Sequence, residues 1–87
     1  MKTSSTQHVV GIDLGNAKHA ICVTLRSTGE IIDERNITNH RESLRRLSKK
    51  YPDSLMVMEV GSHSPWISRF LQDLNHEVLV ANPRKVR

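Results

Sequence analysis

Two short apolar runs each carry one acid that folding alone gives no reason to place there. Val9-Val10-Gly11-Ile12-Asp13-Leu14-Gly15 reads as a strand, and Ser54-Leu55-Met56-Val57-Met58-Glu59-Val60-Gly61 reads as a second. A carboxylate buried in such a run costs folding free energy unless a cation, a set of hydrogen-bond donors or a raised pKa offsets it. A single such acid is an oddity. The recurrence of the pattern at Asp13 and Glu59 points to one acidic site assembled from two strands.

The rest of the chain says how those strands meet. After a polar, disordered start over residues 1–7, the first strand covers about His8 to Leu14, and Gly15-Asn16 turns the chain into a strand from Lys18 to Leu25. Ser27-Thr28-Gly29 makes a hairpin turn into Glu30 to Ile37, so the first three strands form an antiparallel meander. Thr38-Asn39 supplies an N-cap with Glu42 in the capping-box position, and Leu44, Leu47 and Tyr51 recur at helical spacing until Pro52-Asp53. The Glu59 strand follows. Ser64-Pro65 opens a second helix with Ile67, Phe70, Leu71 and Leu74 on one face, Asn75-His76 ends it, and a last strand runs from Glu77 to Ala81. The fold class is therefore α/β, with the order β-β-β-α-β-α-β of a ribonuclease H-like (RuvC-like) mixed sheet, incomplete at the carboxyl terminus. Residues 8–87 form the amino-terminal part of that domain. The order implies parallel pairing of the Asp13 and Glu59 strands, which lie ~4.8 Å apart when neighbours and bring both acids out near their carboxyl ends.

Composition sets limits. A chain of 87 residues with three aromatics, Tyr51, Trp66 and Phe70, makes one small domain with a thin core and fits a piece of something longer. The net charge of +4 and pI near 9.7 permit an acidic partner such as nucleic acid without demanding one. The single cysteine excludes an intrachain disulfide and fits a reducing compartment, and its setting, Ala20-Ile21-Cys22-Val23, reads as a small core residue. With no apolar leader and no run long enough to span a bilayer, the expected location is cytoplasmic, with no membrane partner.

Two ionised carboxylates ~5 Å apart repel by up to about 3 kcal/mol at an effective dielectric near 20, and a metal ion between them relieves this. Oxygen ligands with few imidazoles select Mg2+ or Mn2+ over zinc, and such ions suit phosphodiester cleavage. Competing accounts stand beside this one: Asp13 as a cap on a nearby turn, and Glu59 as an exposed strand-end acid. Gly11-Ile12-Asp13-Leu14-Gly15 also resembles the opening strand of sugar kinases, actin and heat-shock ATPases. Those folds continue with threonine- or serine-rich phosphate contacts, whereas this chain continues Asn16-Ala17-Lys18-His19.

The histidines, His8, His19, His40, His63 and His76, are scattered without metal-ligand spacing and read mainly as surface or strand-end residues. His63 differs, because it follows Glu59 closely enough to reach a phosphate, although a structural loop role explains it as well. Arg41, Arg45, Arg46, Lys49 and Lys50 read as a solvated helix face, and Trp66 with Phe70 as core. The terminal Arg84, Lys85 and Arg87 leave the last strand at the edge where the acids emerge and are better placed for phosphates.

Three blocks then carry a resemblance: Val10-Gly11-Ile12-Asp13-Leu14-Gly15-Asn16-Ala17-Lys18-His19, Val57-Met58-Glu59-Val60-Gly61-Ser62-His63-Ser64-Pro65-Trp66, and His76-Glu77-Val78-Leu79-Val80-Ala81-Asn82-Pro83-Arg84-Lys85-Val86-Arg87. In this order and spacing they resemble the amino-terminal, RuvC-like DEDD domain of transposases of the IS110 insertion-sequence family. The resemblance implies that Asp13 and Glu59 are the first two acids of the DEDD set, and that they are catalytic metal ligands for magnesium-dependent (or manganese-dependent) DNA strand cleavage and exchange. It implies DNA as partner, a structured guide RNA in some members, a homo-oligomeric parent protein and a bacterial or archaeal cytoplasm. Lys18, His63, Arg84, Lys85 and Arg87 are the candidate nucleic-acid contacts. The remaining two aspartates of the set lie downstream in the family, so the isolated 87-residue chain is expected to be inactive. A Holliday-junction resolvase-like nuclease of the same fold, an ATPase lobe and a non-catalytic nucleic-acid-binding or dimerisation module are the alternatives.

Overall fold

The computed structural model describes residues 7–59 and 65–81. Within them the order is β1 (His8–Asp13), β2 (Lys18–Leu25), β3 (Ile31–Thr38), α1 (Arg41–Lys50), β4 (Leu55–Glu59), α2 (Pro65–Asp73) and β5 (Glu77–Ala81). The strands form one five-stranded sheet in the order β3-β2-β1-β4-β5. The expected meander is present, with β1 antiparallel to β2 and β2 to β3. The expected parallel pairs are present too, β1 with β4 and β4 with β5.

Alternation along the strands decides which face is covered. Val10 and Ile12 on β1, Ile21 and Val23 on β2, and Met56 and Met58 on β4 are buried together with Leu44, Leu47 and Tyr51 of the first helical region and Ile67 and Leu71 of α2. Both helices therefore lie on one face. Filling a site such as Leu44 or Leu71, each fully buried, stabilises by roughly 1.5–3 kcal/mol relative to leaving it exposed. Gly11, Asp13, Ala20, Cys22, Val57 and Glu59 take the opposite face, which no helix covers among the described residues.

The turns follow from residue chemistry. Gly29 takes a φ of 78°, a left-handed conformation that glycine adopts without steric cost, and closes the β2–β3 hairpin. Asn75, at φ 74°, ends α2: the His76 amide donates to the Leu71 carbonyl at 3.1 Å and the Asn75 amide to the Gln72 carbonyl at 3.0 Å, the paired bonds of a left-handed helix stop. That stop delivers the His76 ring into the core. Its Nδ1–H donates to the Ser54 carbonyl at 2.9 Å, and its Nε2 accepts from the Ser48 hydroxyl at 2.6 Å, with all three residues buried.

The structure corrects several readings. Asn39 is not the cap of α1; His40 takes that position without a side-chain capping bond, and Glu42 pairs with Arg45 at 3.0 Å instead of reaching back. Cys22 is not in the core but half-buried on the uncovered face. His19 and His76 are buried, not surface residues. The α1 arginines are not only solvated: the Arg41 guanidinium lies 5.0 Å from the centre of the Trp66 ring and that of Arg45 5.4 Å from Phe70. Trp66 and Phe70 are partly buried against the core, as expected.

Candidate metal-binding carboxylate site

β1 and β4 run parallel with Ile12 opposite Met58. The next residue on each strand is an acid, so Asp13 and Glu59 end neighbouring strands at the same level. Because Ile12 and Met58 face the helices, the acids face the other way, into an open groove of about 610 Å³ that both line. Parallel pairing thus brings together two residues 46 positions apart in the sequence (59 − 13). Neighbouring parallel strands are spaced ~4.8 Å, a separation that one cation can bridge.

The acids are not where the sequence places them in one respect. The apolar flanks suggest burial, yet both side chains are exposed. Each is the last residue of its strand, where the sheet gives way to the loops, and the flanking Gly11 and Ala20 on the same face are too small to enclose Asp13. Water therefore screens their mutual repulsion below that expected at an effective dielectric near 20. Neither makes a hydrogen bond or ion pair with another described residue.

The donor set fits a hard divalent cation. Two carboxylates side by side offer oxygen ligands alone, and no cluster of three or more histidine, cysteine, aspartate or glutamate side chains suited to a metal occurs among the described residues. Such a pair holds an ion that keeps several waters or takes further ligands from elsewhere. The groove also carries Glu34 and Asn36 of β3 on the far side of β2.

Of the other candidates, Lys18 is exposed at the start of β2, opposite Thr38, and shares the face of Asp13 by strand alternation. His63, Arg84, Lys85 and Arg87 lie outside the described residues.

Sequence reasoning missed His19. It is 1 % exposed; its Nδ1 accepts the Gly15 amide at 3.1 Å and its Nε2–H donates to Asn39 Oδ1 at 3.0 Å. The signal was present in the alternation, since His19, Ile21 and Val23 share the buried face at strand period.

Comparison with known proteins adds to this geometry. The nuclease of the large terminase from the thermophilic phage G20c superposes with a TM-score of 0.62 at 17 % identity, over 85 % of this chain and 43 % of that one. The likeness supports a ribonuclease H-like fold, and the chain spans less than half the length of this structural relative. No curated protein matches the sequence. The family model for the DEDD transposases of IS110 type matches residues 10–87, a span that takes in both acids, and the chain accordingly belongs to that transposase family as its amino-terminal DEDD domain.

Proposed function

We propose that this chain supplies the first two metal-binding carboxylates, Asp13 and Glu59, to DNA strand cleavage and exchange in transposition. The observation that carries the reading is the parallel register of β1 and β4, which sets the two acids level on one face and at the edge of an open groove. Family membership supports DNA as the partner. Mg2+ or Mn2+ held there would activate a water or hydroxyl and stabilise the leaving oxygen of a phosphodiester. The protein's part is to fix two oxygen ligands on rigid strands and to leave their face open to a broad polyanion. Lys18, on that face, contacts a phosphate, and so do Arg84, Lys85 and Arg87.

In the full-length transposase, Asp13→Asn and Glu59→Gln should each abolish strand cleavage, by at least about a hundredfold if the metal supplies several kcal/mol of transition-state stabilisation. The variants should retain the parent's abundance and DNA affinity. Cleavage at the parental rate by either variant would remove that acid from the reaction. Changing Arg84, Lys85 and Arg87 together to alanine should lower the slope of log affinity against log salt on duplex DNA by up to about 2.7, at 0.9 per phosphate contact. An unchanged slope would show that the tail does not touch the backbone.

A further inference from the structure

The segment that follows Asp13 is tied down on its hidden side by a set of side-chain and backbone contacts. Leu14 turns back into the core, and the next amide, that of Gly15, donates to Nδ1 of His19 at 3.1 Å. The opposite nitrogen of the ring, Nε2–H, donates to Asn39 Oδ1 at 3.0 Å. Asn39 then closes the loop from its other atoms: its Nδ2 donates to the Asn16 carbonyl at 3.0 Å and its backbone amide to the Ala17 carbonyl at 2.9 Å. With Gly15 N–H as a donor and Asn39 Nδ2 committed to Asn16, the ring is fixed as the neutral Nε2–H tautomer. Four consecutive positions after Asp13 are thereby held by one histidine, one asparagine and the core.

The tightness has an independent measure. A Cβ on Gly15 would stand 2.3 Å from the Lys18 carbonyl oxygen, against backbone that has no freedom to withdraw, so the loop closes on itself at this point. Asn39 is also the residue whose sequence position suits helix capping, and it performs this task while α1 is left without a side-chain cap. The side chain that would stabilise the helix start is instead committed to a loop beside the acid.

We infer that His19 and Asn39 are positioning residues for the metal site: through Gly15 and the 14–17 loop they fix the backbone of Asp13, so that its carboxylate meets that of Glu59 at the level needed to share a cation. The inference rests on the proposed metal-binding role of Asp13 and Glu59. Outer contacts that orient a metal ligand are commonly worth about 10–100-fold in metal affinity, and the same scale applies here.

The test uses the isotopically labelled chain, Mn2+ as a paramagnetic probe, and His19→Leu, which keeps apolar volume while removing both hydrogen bonds. His19→Asn is the rescue, since its Oδ1 can accept the Gly15 amide near the position of Nδ1. Asn39→Ala, a change at a half-buried surface position, covers the case in which His19→Leu does not fold. Without metal, the parent should show a Gly15 amide protected from exchange, and His19→Leu should lose that protection. With Mn2+, the parent should show broadening centred on Asp13 and Glu59. His19→Leu and Asn39→Ala should need about tenfold more Mn2+ for the same broadening, and His19→Asn should recover most of the loss. Equal Mn2+ affinity in the parent, His19→Leu and Asn39→Ala, or no recovery in His19→Asn, would overturn the positioning role while leaving the metal site standing. Absence of broadening at Asp13 and Glu59 in the parent would overturn the metal reading and this inference with it.

Discussion

The two ends of the same sheet are built on opposite rules. At the end where β4 and β5 begin, polar groups are buried and paired: His76 bridges Ser48 and Ser54, and the Tyr51 hydroxyl donates to Asp33 at 2.6 Å beside the Arg35–Asp33 ion pair. At the end where β1 and β4 finish, two acids stand exposed with no partner among the described residues, and the hydrogen bonds nearby hold backbone rather than the acids themselves. Polar groups that serve folding are satisfied by folding. On the proposed reading of Asp13 and Glu59, the acids are left for a ligand and the neighbouring contacts fix where they stand.

The comparison breaks most readily at His76. Removing its ring leaves the Ser54 carbonyl and the Ser48 hydroxyl without partners in a closed space, at about 1–3 kcal/mol for each stranded group. His76→Ala should therefore lower stability by roughly 3 kcal/mol or more, which in a chain of this size lowers the melting temperature by more than about 10 °C. A loss of only a degree or two would mean that this end is no more committed to folding than the other.

A smaller effect is expected at Tyr51, and its pH dependence sharpens the contrast. The Tyr51 hydroxyl is the leading cause that holds the Asp33 carboxyl below its ordinary 3.8; partial burial opposes the shift, and Arg35 adds to it. Burial is the leading cause that raises the Tyr51 phenol above 10.0, and its bond to Asp33 adds to that. Asp33 has a lowered folded pKa, so its contribution is present above the unfolded value and is lost as pH falls through the folded one. Tyr51 has a raised folded pKa, so its contribution is present below about 10 and is lost as pH rises through the folded value. Tyr51→Phe should cost about 1 kcal/mol near neutrality. The gap between parent and variant should close below about pH 4 and again above about pH 10, as chemical denaturation across pH would show. A gap that does not change with pH would assign the cost to packing, including the contact of the His8 and Tyr51 rings at 5.2 Å.

Much of this contrast is legible in the sequence, and what is not has physical causes. The strands Lys18–Leu25 and Glu77–Ala81 are read with their observed bounds because turn-forming residues flank them. The parallel pairing of the two acid-bearing strands follows from element order: the β1–β2–β3 meander makes β3 parallel to β1, and the α1 crossover from β3 brings β4 back in the same direction. The sequence alone does not show the burial of His19 and His76, because the side chains that pair with their rings, Asn39 and Ser48, lie 20 and 28 residues away. Asn39 was assigned to the cap for the same reason: local spacing suits that role, and only the fold brings the β1–β2 loop within its reach. The apolar flanks of Asp13 and Glu59 suggested burial because they describe the strand, whereas exposure is set by where the strand ends. The misread histidines and Asn39 thus turn on contacts distant in sequence, and the acids on where each strand ends.

On the proposed reading, Asp13 serves a ligand and contributes nothing to folding. Thermal melts of the parent chain and of Asp13→Asn, followed across a magnesium titration at fixed ionic strength, test it most directly. The variant without metal should be as stable as the parent or slightly more so. Magnesium should stabilise the parent by about 0.4 kcal/mol at its dissociation constant and by ~2.7 kcal/mol at a hundredfold excess, and the variant should lose most of this response. A strongly destabilised Asp13→Asn without metal, or a magnesium response equal to the parent's, would contradict it.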